Sequence, residues 1–255
     1  MPQLRVTVAS YNIHIGIGRD GAFAPERTAT VLQELHADII ALQEVQLGHG
    51  AFNMLEFLQI ATGLSGVARP TIVHPINGDY GNALLTRHRL QTLRAVDLTV
   101  GSHEPRGALD AVLDCDGAPL RVVATHLGLR PGERRAQVRR LLEAVDAIDA
   151  DLPTVLVGDV NEWFLWGRPL RWLHTHFSAA PAPPSFPAGR PLFALDRIWV
   201  KPRSYLHGVR AHASELSRLA SDHLPVVADI GSAPLPRRDV HAAPATRRTS
   251  AIAQE

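Results

Sequence analysis

One short stretch, residues 155–162, limits what this chain can fold into more than any other. It reads Val-Leu-Val-Gly-Asp-Val-Asn-Glu. The apolar run predicts the end of a buried strand, and Gly158 permits a sharp turn directly before Asp159 and Asn161. Two residues apart in an extended chain, these side chains point to the same side, where one can take a proton and the other can orient a water or a phosphate oxygen. The alternative is an ordinary turn in which both side chains bond their own backbone.

Other predicted strands also lead into polar residues. Residues 4–12 and 39–43 read as strands, and Glu44 follows the second of them. A carboxylate after such an apolar run is costly to bury unpaired, so Glu44 either caps local structure or binds a cation. A surface or packing role is the alternative for a histidine at a strand end. The remaining candidates of this kind are Asn12 and His14 after the first strand, His126 after residues 120–124, Asp196 within residues 195–200, and Asp222 with His223 before the last strand.

Helices separate some of these strands. Apolar residues at helical spacing predict helices that begin at Pro25 and that cover residues 52–62, 131–149 and 170–174. Short apolar runs between turn residues predict a series of antiparallel hairpins, at residues 72–73, 83–85, 93–100, 108–113 and 120–124. The helix at 131–149 has an arginine-rich face, for which we expect solvation rather than phosphate contacts. Its arginines are Arg130, Arg134, Arg135, Arg139 and Arg140.

Composition limits the class of protein. A chain of 255 residues with 45% hydrophobic content can bury a large core, and we expect one catalytic domain at residues 1–231. Residues 232–255 are rich in Pro, Ala and Arg and should form a disordered tail. The formal net charge of +1 provides no long-range field that would gather nucleic acid regardless of site.

The sequence also indicates where in the cell the protein is located. Cys115 is the only cysteine, so there is no intrachain disulfide or thiolate metal cluster, which fits a reducing compartment. The N-terminus lacks the apolar core of a signal peptide, and no run reaches transmembrane length. We therefore expect a cytoplasmic protein, with peripheral attachment to a membrane as the alternative. The sequence carries no signal for an oligomeric state.

Six polar motifs in fixed order resemble the endonuclease/exonuclease/phosphatase superfamily, which includes exonuclease III, DNase I and neutral sphingomyelinases. The resemblance covers roughly residues 4–230 and is to small bacterial members. It implies a four-layer α/β sandwich of the DNase I type, in which two mixed β-sheets pack face to face with helices outside. The motifs are Tyr-Asn-Ile at Asn12, Leu-Gln-Glu-Val at Glu44, Thr-His-Leu at His126, Gly-Asp-Val-Asn at Asp159 and Asn161, Leu-Asp-Arg-Ile at Asp196, and Ser-Asp-His at His223.

The resemblance implies a metal-dependent phosphoric ester hydrolase. Glu44 would be the metal carboxylate, with Asn12 beside it and Asp222 as a second metal or hydrogen-bonding carboxylate. Hard oxygen ligands suit Mg²⁺ or Mn²⁺ rather than zinc.

The acid and base roles follow from the same resemblance. Asp159 would orient or deprotonate the attacking water, and Asn161 would fix its position. His223 would bind the phosphoryl oxygens, oriented by Asp196, and His126 matches a histidine of the DNase-I-like and phosphatase members. The predicted substrate-binding residues are His14, Asn82, Arg106 and Phe193.

Three substrates are open: a lipid head group, a small phosphodiester and nucleic acid. Phe193 stands where abasic-site endonucleases place a pocket residue, although an inward-facing core position is the alternative. The stretch Trp-Phe-Leu-Trp at residues 163–166 either faces lipid or packs under the proline-rich loop at 181–191. A DNA endonuclease or exonuclease is the alternative function. A catalytically inactive binding module is the third, and the complete set of acids, amides and histidines argues against it.

Overall fold

The computed structural model describes residues 3–48, 52–72, 79–147 and 151–232. Within these ranges the helices are α1 (Pro25–Leu35), α2 (Met54–Thr62), α3 (Pro131–Asp146), α4 (Arg168–Phe177) and α5 (Ser217–Ala220). The strands are β1 (Arg5–Asn12), β2 (Ile39–Gln46), β3 (Ser65–Ile72), β4 (Tyr80–Thr86), β5 (Arg89–Asp97), β6 (Gly107–Cys115), β7 (Ala118–His126), β8 (Thr154–Asp159), β9 (Asp196–Lys201), β10 (Leu206–Ala211) and β11 (Val226–Gly231).

These strands form two mixed sheets. The first has the order β10-β11-β1-β2-β4-β3, and the second has the order β5-β6-β7-β8-β9. In the first sheet β1 is parallel to β2, and in the second β7 is parallel to β8, whereas the other neighbours are antiparallel. The predicted pair of mixed sheets is therefore confirmed.

Successive side chains of a strand point to opposite faces of its sheet, and this creates three apolar layers. Val8 and Ala41 face the core between the sheets, where they meet residues of the second sheet such as Val157. Their neighbours in sequence point outward and pack against α1 and α2. On the outer face of the second sheet, Leu156 and Trp199 pack with apolar residues of α3 and α4. The order of layers is thus helices, sheet, sheet, helices, which confirms the predicted four-layer sandwich.

The parallel pairs bring polar residues to one end of the sandwich. Asp159 at the end of β8 is paired with His126 on one side and with Asp196 on the other. Asn12 ends β1 next to the last part of β2, and β1 packs across the sandwich from β8. The carboxyl ends of four strands from two sheets therefore meet at this end, which we call the catalytic end.

The predicted series of antiparallel hairpins is wrong at one point. Strand β4 belongs to the first sheet and β5 to the second, so the chain crosses from one sheet to the other between them. Strand β3 begins at Ser65, well before the predicted strand at 72–73, whose second residue lies outside the described residues. It is an edge strand with a mostly half-exposed surface, and edges tolerate residues such as Pro70 that interrupt a strand pattern.

Further differences concern the edges and helix ends. Strand β10, the other edge of the first sheet, and the one-turn helix α5 were not predicted. Helix α3 ends at Asp146, short of the predicted residue 149, and residues 148–150 are outside the described part. The predicted disordered tail also lies there, apart from residue 232. Among the helices described, none is long and apolar enough to cross a membrane.

Candidate active site

Asn12 joins the two sheets at the catalytic end. Its Nδ2 donates to Glu44 Oε1 at 3.0 Å in its own sheet and to Asp159 Oδ2 at 3.2 Å in the other. Its Oδ1 accepts from the backbone N–H of His14 at 3.1 Å, and its carbonyl accepts from Ser221 Oγ at 2.8 Å. Asn12 is thus fixed with its amide nitrogen, rather than its oxygen, toward both carboxylates.

Glu44 lies at a β-bulge in β2. Its φ is 58°, and the pairing of β2 with β4 shifts between Leu42 and Val45. A bulge re-aims a side chain at the end of a strand, and a left-handed conformation at a non-glycine residue often marks a functional position. The hydroxyl of Tyr80 also bonds to this carboxylate, and burial together with the charge of Glu44 raises the pKa of Tyr80. Glu44 itself stays half-buried.

The turn after β8 requires Gly158. Its φ is 145°, and a Cβ there would lie 1.9 Å from the carbonyl oxygen of Thr125. Asp159 Oδ1 then accepts from the backbone N–H of Asn161 at 2.9 Å, and Asn161 Nδ2 donates to the carbonyl of Leu127 at 2.9 Å. One oxygen of Asp159 therefore bonds its own turn, as the alternative interpretation proposed, while Oδ2 faces the other site residues.

His223 is paired with Asp196. Its Nδ1 donates to Asp196 Oδ2 at 2.8 Å, and Ser185 Oγ donates to the same oxygen at 2.6 Å. Burial alone would lower the pKa of His223, but the charges of Asp196, Asp159 and Asp222 raise it to about 10. Burial and the charge of Asp196 raise the pKa of Asp159, whose Oδ2 lies 3.7 Å from His223 Nε2. The His223 ring is therefore a cation at neutral pH.

The ring of His126 is neutral, in contrast to that of His223. Arg106 Nη1 donates to His126 Nδ1 at 3.1 Å, and because arginine can only donate, Nδ1 is the acceptor and Nε2 carries the proton. Burial and the charge of Arg106 lower the pKa of His126 well below its usual range. Its Nε2 lies 3.5 Å from Asp159 Oδ2. The ring is thus a buried neutral donor, and the surface alternative for this histidine is wrong.

Two more predicted substrate-binding residues lie at the margin of this group. Asn82 Nδ2 donates to the carbonyl of Gly107 across the two sheets at 2.9 Å. His14 Nδ1 lies 3.1 Å from the carbonyl oxygen of Ile17, so its ring turns toward the following loop. Asn82 therefore belongs to the wall beside Glu44 and His126, whereas His14 contributes to the centre through its backbone.

Phe193 lies beyond His223, among aromatic side chains. It is 38% exposed, so the alternative of an inward-facing core position is wrong. Its ring packs against Trp163 with centroids 4.8 Å apart. Phe186, from the proline-rich loop, lies between Trp163 and His223, with centroid distances of 5.6 and 4.8 Å. An aromatic path thus runs from the catalytic end to the surface.

The stretch at residues 163–166 is only partly packed under the proline-rich loop. Trp163 contacts Phe186 of that loop, whereas Phe164, Leu165 and Trp166 are 52%, 69% and 73% exposed. We call Trp163, Phe164, Leu165, Trp166 and Phe193 the aromatic rim. The rim forms one apolar side of the candidate site.

Asp222 borders the dyad of His223 and Asp196 without being enclosed. It is half-buried, its Oδ1 accepts from Ser221 Oγ at 3.3 Å, and its carbonyl accepts from the backbone N–H of Ala188 at 2.7 Å. The proline-rich loop is therefore anchored directly beside the site, through Ser185 as well as Ala188.

The expected solvated face of α3 is wrong for Arg134. This side chain is buried and forms an ion pair with Glu162, with Nε and Oε2 3.3 Å apart. Its Nη1 also donates to the carbonyl of Leu129 at 2.6 Å. Arg134 therefore ties the loop after His126 to the turn that carries Asp159. Its position four residues before Val138, on the buried stripe of α3, is the sequence signal that could have identified it.

One group of side chains and one separate carboxylate could hold a metal. Ligand atoms of Asp159, Asp196 and His223 all lie within 4.8 Å of one another. In this group Nδ1 of His223 is bonded to Asp196, and the surrounding carboxylates raise the pKa of the ring, so a proton on Nε2 competes with an ion. Glu44 offers a half-buried carboxylate that accepts from the same amide nitrogen of Asn12 as Asp159 does, and its hard oxygen atoms fit Mg²⁺ or Mn²⁺.

Comparisons with known proteins agree with this geometry. The model of the endonuclease/exonuclease/phosphatase family matches residues 9–223. The uncharacterized protein YbhP of Escherichia coli strain K12 is 31% identical over 247 residues, covering 89% of this chain and 97% of YbhP.

Solved structures share the fold. An endonuclease/exonuclease/phosphatase from Beutenbergia cavernae has a TM-score of 0.73 at 21% identity, covering 89% of this chain and 71% of that one. The catalytic domain of human Nocturnin with a bound sulfate anion has a TM-score of 0.65 at 21% identity, covering 89% and 95%. The family match extends from β1 to His223 and so includes every residue of the predicted motifs. This chain therefore belongs to the endonuclease/exonuclease/phosphatase family.

Proposed function

We propose that the protein is a divalent-metal-dependent phosphoesterase, which hydrolyses a phosphodiester or phosphomonoester by in-line attack of an activated water. The observation that carries this proposal is the convergence of three groups on one oxygen of Asp159. Asn12 Nδ2, His126 Nε2 and His223 Nε2 lie 3.2, 3.5 and 3.7 Å from Asp159 Oδ2. A base is thus surrounded by donors that suit a phosphoryl group.

Asp159 is the proposed base. Its Oδ1 is held by the backbone N–H of Asn161, so Oδ2 is the atom that would take a proton from the water. The raised pKa of Asp159, caused by burial and by Asp196, favours proton uptake near neutral pH. Asn161 would hold the water in place, and its bond to the carbonyl of Leu127 fixes its own orientation.

The two histidines are the proposed donors to the phosphoryl oxygens. His223 donates as a cation, oriented by Asp196, and His126 donates from Nε2 as a neutral ring, oriented by Arg106. Charge that develops on the phosphoryl oxygens during attack would strengthen both hydrogen bonds. The water oxygen forms the new bond to phosphorus, the bond to the ester oxygen breaks, and the leaving oxygen then takes up a proton.

Glu44 is the residue that would hold the ion, with Asp222 as a second candidate. A bound Mg²⁺ or Mn²⁺ supplies positive charge beside the phosphoryl oxygens and the leaving group. The bond from Asn12 to both Glu44 and Asp159 links the proposed metal carboxylate to the proposed base.

Hydrolysis of bis-p-nitrophenyl phosphate tests this proposal. We expect chelation to abolish hydrolysis and Mg²⁺ or Mn²⁺ to restore it. Glu44→Gln should raise the metal concentration that gives half-maximal rate. Asp159→Asn and His223→Ala should lower kcat by about 10² to 10⁴ with an unchanged circular dichroism spectrum.

Glu26→Gln is the matched control, because Glu26 is an exposed acid on α1. It should behave as wild type in metal dependence and rate. Full activity in excess chelator, or wild-type rates in all three site variants, would refute the proposed chemistry.

For the substrate, we propose a small or lipid-derived phosphate ester over nucleic acid. The small formal net charge of +1 and the exposed part of the aromatic rim support this preference. A nuclease is the second candidate, since Trp163 and Phe193 are aromatic surfaces on which a base could stack. Incision of abasic or plasmid DNA that falls steeply with salt, without release from lipid or small esters, would favour the nuclease.

A further inference from the structure

A buried ion pair lies next to the turn that carries Asp159 and Asn161. Its members, Arg134 of α3 and Glu162, are 1% and 4% exposed. Two guanidinium nitrogens face the acid, with Nε 3.3 Å from Oε2 and Nη2 3.4 Å from Oε1. A buried ion pair is often no more stabilising than apolar side chains of similar volume. The other contacts of this pair therefore indicate its role better than its contribution to stability does.

Helix α3 holds the loop after β7 through several polar side chains. Arg134 Nη1 donates to the carbonyls of Leu129 and Gly128, at 2.6 and 3.3 Å. Gln137 Oε1 accepts from the backbone N–H of Gly128 at 2.8 Å, and Gln137 is itself bonded to Glu133. The Glu133 carboxylate lies so close to Gly128 that a Cβ has no room there. The peptide groups of this loop are therefore fixed from the helix side.

The same loop holds the catalytic turn on its other side. The backbone N–H of Leu127 donates to the carbonyl of Asp159 at 2.9 Å. The carbonyl of Leu127 accepts from Asn161 Nδ2, also at 2.9 Å. Leu127 directly follows His126 in the sequence. A displacement of residues 128–129 would therefore reach both the Asn161 amide and the end of β7 through Leu127.

Glu162 fixes the turn from the side that continues the chain. It directly follows Asn161, and its Oε1 accepts from the backbone N–H of Phe164 at 3.2 Å. Gly167 lies against the same carboxylate, where a Cβ would be 2.6 Å from Cδ. The ion pair with Arg134 thus joins two supports of Asn161, the loop after β7 and the chain after the turn.

We propose that Arg134 and Glu162 are positioning residues, which hold Asn161 in the orientation that the attacking water needs. This inference rests on the proposed function, which gives Asn161 the role of fixing that water. Both side chains act through backbone groups of neighbouring segments. A misplacement of about 1 Å at a distance from the chemistry can cost ~10²-fold in rate. The pair therefore affects turnover more than substrate affinity.

Arg134→Lys tests this inference in the full-length protein. Lysine keeps a positive charge beside Glu162, but one ammonium cannot replace a guanidinium that bonds the carboxylate and the loop carbonyls together. We expect kcat for bis-p-nitrophenyl phosphate to fall by about tenfold to a hundredfold, while KM changes by less than about threefold. Gln137→Leu removes only the acceptor of the Gly128 N–H and should lower kcat by about three- to tenfold. If Arg134→Lys does not fold, Gln137→Leu takes its place in every comparison.

Arg121→Lys is the matched control, because it alters another buried arginine with similar contacts. Arg121 bonds to both oxygens of Asp110 and to the carbonyl of Val145 in α3. It lies in the same strand as His126, about 16 Å away at ~3.3 Å per residue. Both lysine variants should lower the melting temperature. Only Arg134→Lys should lower kcat at a temperature at which both variants are folded.

Amide hydrogen exchange gives a second measurement that needs no turnover. The backbone N–H groups of Leu127 and Gly128 are bonded to Asp159 and Gln137. In Arg134→Lys they should exchange about tenfold faster than in wild type, because local opening of the loop becomes easier. In Arg121→Lys they should exchange within about twofold of the wild-type rate.

The outcomes are distinct. An unchanged kcat in Arg134→Lys, an equal loss of kcat in Arg121→Lys, or a loss confined to KM would overturn the positioning role. Unchanged exchange at Leu127 and Gly128 would overturn it as well. Failure of the wild-type protein to hydrolyse bis-p-nitrophenyl phosphate would instead overturn the proposed function, and hydrogen exchange would then still decide whether Arg134 fixes the turn.

Discussion

His223 keeps its proton because three carboxylates surround a buried ring. Burial by itself favours the neutral imidazole, but the charges of Asp196, Asp159 and Asp222 outweigh it and raise the pKa of His223. Asp196 contributes most among them, since it also accepts the hydrogen bond from Nδ1. Its charge therefore fixes both the orientation and the protonation of the proposed phosphate donor.

Asp196→Asn should consequently alter the pH dependence as well as the rate. Loss of the charge lowers the pKa of His223 from about 10, so the protonated ring is lost at a lower pH as pH rises. We expect kcat for bis-p-nitrophenyl phosphate to fall by about 10² or more and the alkaline limb of its pH profile to move toward neutrality. Rates measured from pH 6 to 10.5 would check this.

Ser185→Ala is the matched control for this change. It removes the second hydrogen bond to Asp196 Oδ2 and leaves the charge in place. Its alkaline limb should stay near that of wild type. An unshifted limb in Asp196→Asn would contradict the assignment of His223 as a cationic donor.

The individual polar residues were largely predictable, whereas their supporting contacts were not. Asp159 and His126 follow apolar runs, and this pattern predicts side chains at the ends of buried strands. The structure brings them together as expected. Ser185 and Tyr80 were missed because their contacts with Asp196 and Glu44 depend on how a loop and a neighbouring strand approach the site.

The second sheet is tied to helix α3 by a buried ion pair. Arg121 of β7 bonds to Asp110 of β6 through Nε and Nη2, each at 2.8 Å. Its Nη1 donates to the carbonyl of Val145 in the last turn of α3. Arg94 of β5 also bonds to Asp110 and to the carbonyl of Ala144. The cluster therefore satisfies carbonyls that a helix end leaves open, and it supplies positive charge there.

Asp110→Asn should destabilise the protein by about 3 kcal/mol at pH 7, because it leaves the Arg121 guanidinium buried without its counter-charge. Burial would raise the pKa of Asp110, but bonds from Arg121 and Arg94 lower it. A lowered carboxyl pKa adds stability above the unfolded-state pKa of about 3.9, and this stability is lost as pH falls through the folded-state value. Urea unfolding at pH 7 and pH 3 would check the change.

The difference between wild type and Asp110→Asn should accordingly shrink on acidification. Asp114→Asn is the control in the same strand, because Asp114 pairs with Arg89 at the surface. It should leave the urea midpoint nearly unchanged. Equal destabilisation by the two substitutions would show that the buried Asp110 pair contributes no more to the free energy of unfolding than the surface pair of Asp114.

Element prediction succeeded where an element is largely buried and failed at the two edges of the first sheet. In β1 apolar and polar residues largely alternate, and β8 contains an unbroken apolar run, so both can be recognised as strands without knowledge of the fold. Edge strands β3 and β10 are mostly half-exposed, and their apolar and polar residues do not alternate strictly. Arg134 was misjudged for a related reason, since a charged residue on the buried stripe of a helix needs a partner, Glu162, from another element.

Across the whole molecule, the site lies between two surfaces of different character. The aromatic rim follows β8 and precedes β9 on one side of the second sheet, whereas a cavity of about 390 Å³ that contains Arg69 and Arg106 in its lining adjoins β5 and β6 on the other. Asp159 and His126 lie between them, on β8 and β7. An ester with a polar, charged part and an apolar part would match this arrangement in one orientation.

The exposed part of the rim should therefore contribute to binding and hydrolysis of assembled lipid but not to hydrolysis of a soluble ester. Leu165→Ser with Trp166→Ala removes two side chains that are 69% and 73% exposed and leaves Trp163 in its packing against Phe186. Inserting such side chains into a bilayer interface is favourable by roughly 1–2 kcal/mol each, so we expect cosedimentation with phosphatidylglycerol vesicles to weaken by about tenfold or more.

Turnover distinguishes a surface role from general damage. In the double variant, release from vesicles should fall about tenfold, while hydrolysis of bis-p-nitrophenyl phosphate should stay within about twofold of wild type. Ile60→Ala is the matched control, because Ile60 is 78% exposed on α2 and lies on a different face. Equal losses in the double variant and in Ile60→Ala, or equal losses on vesicles and soluble ester, would exclude the rim as a lipid-facing surface. The head group would then have to be recognised from solution.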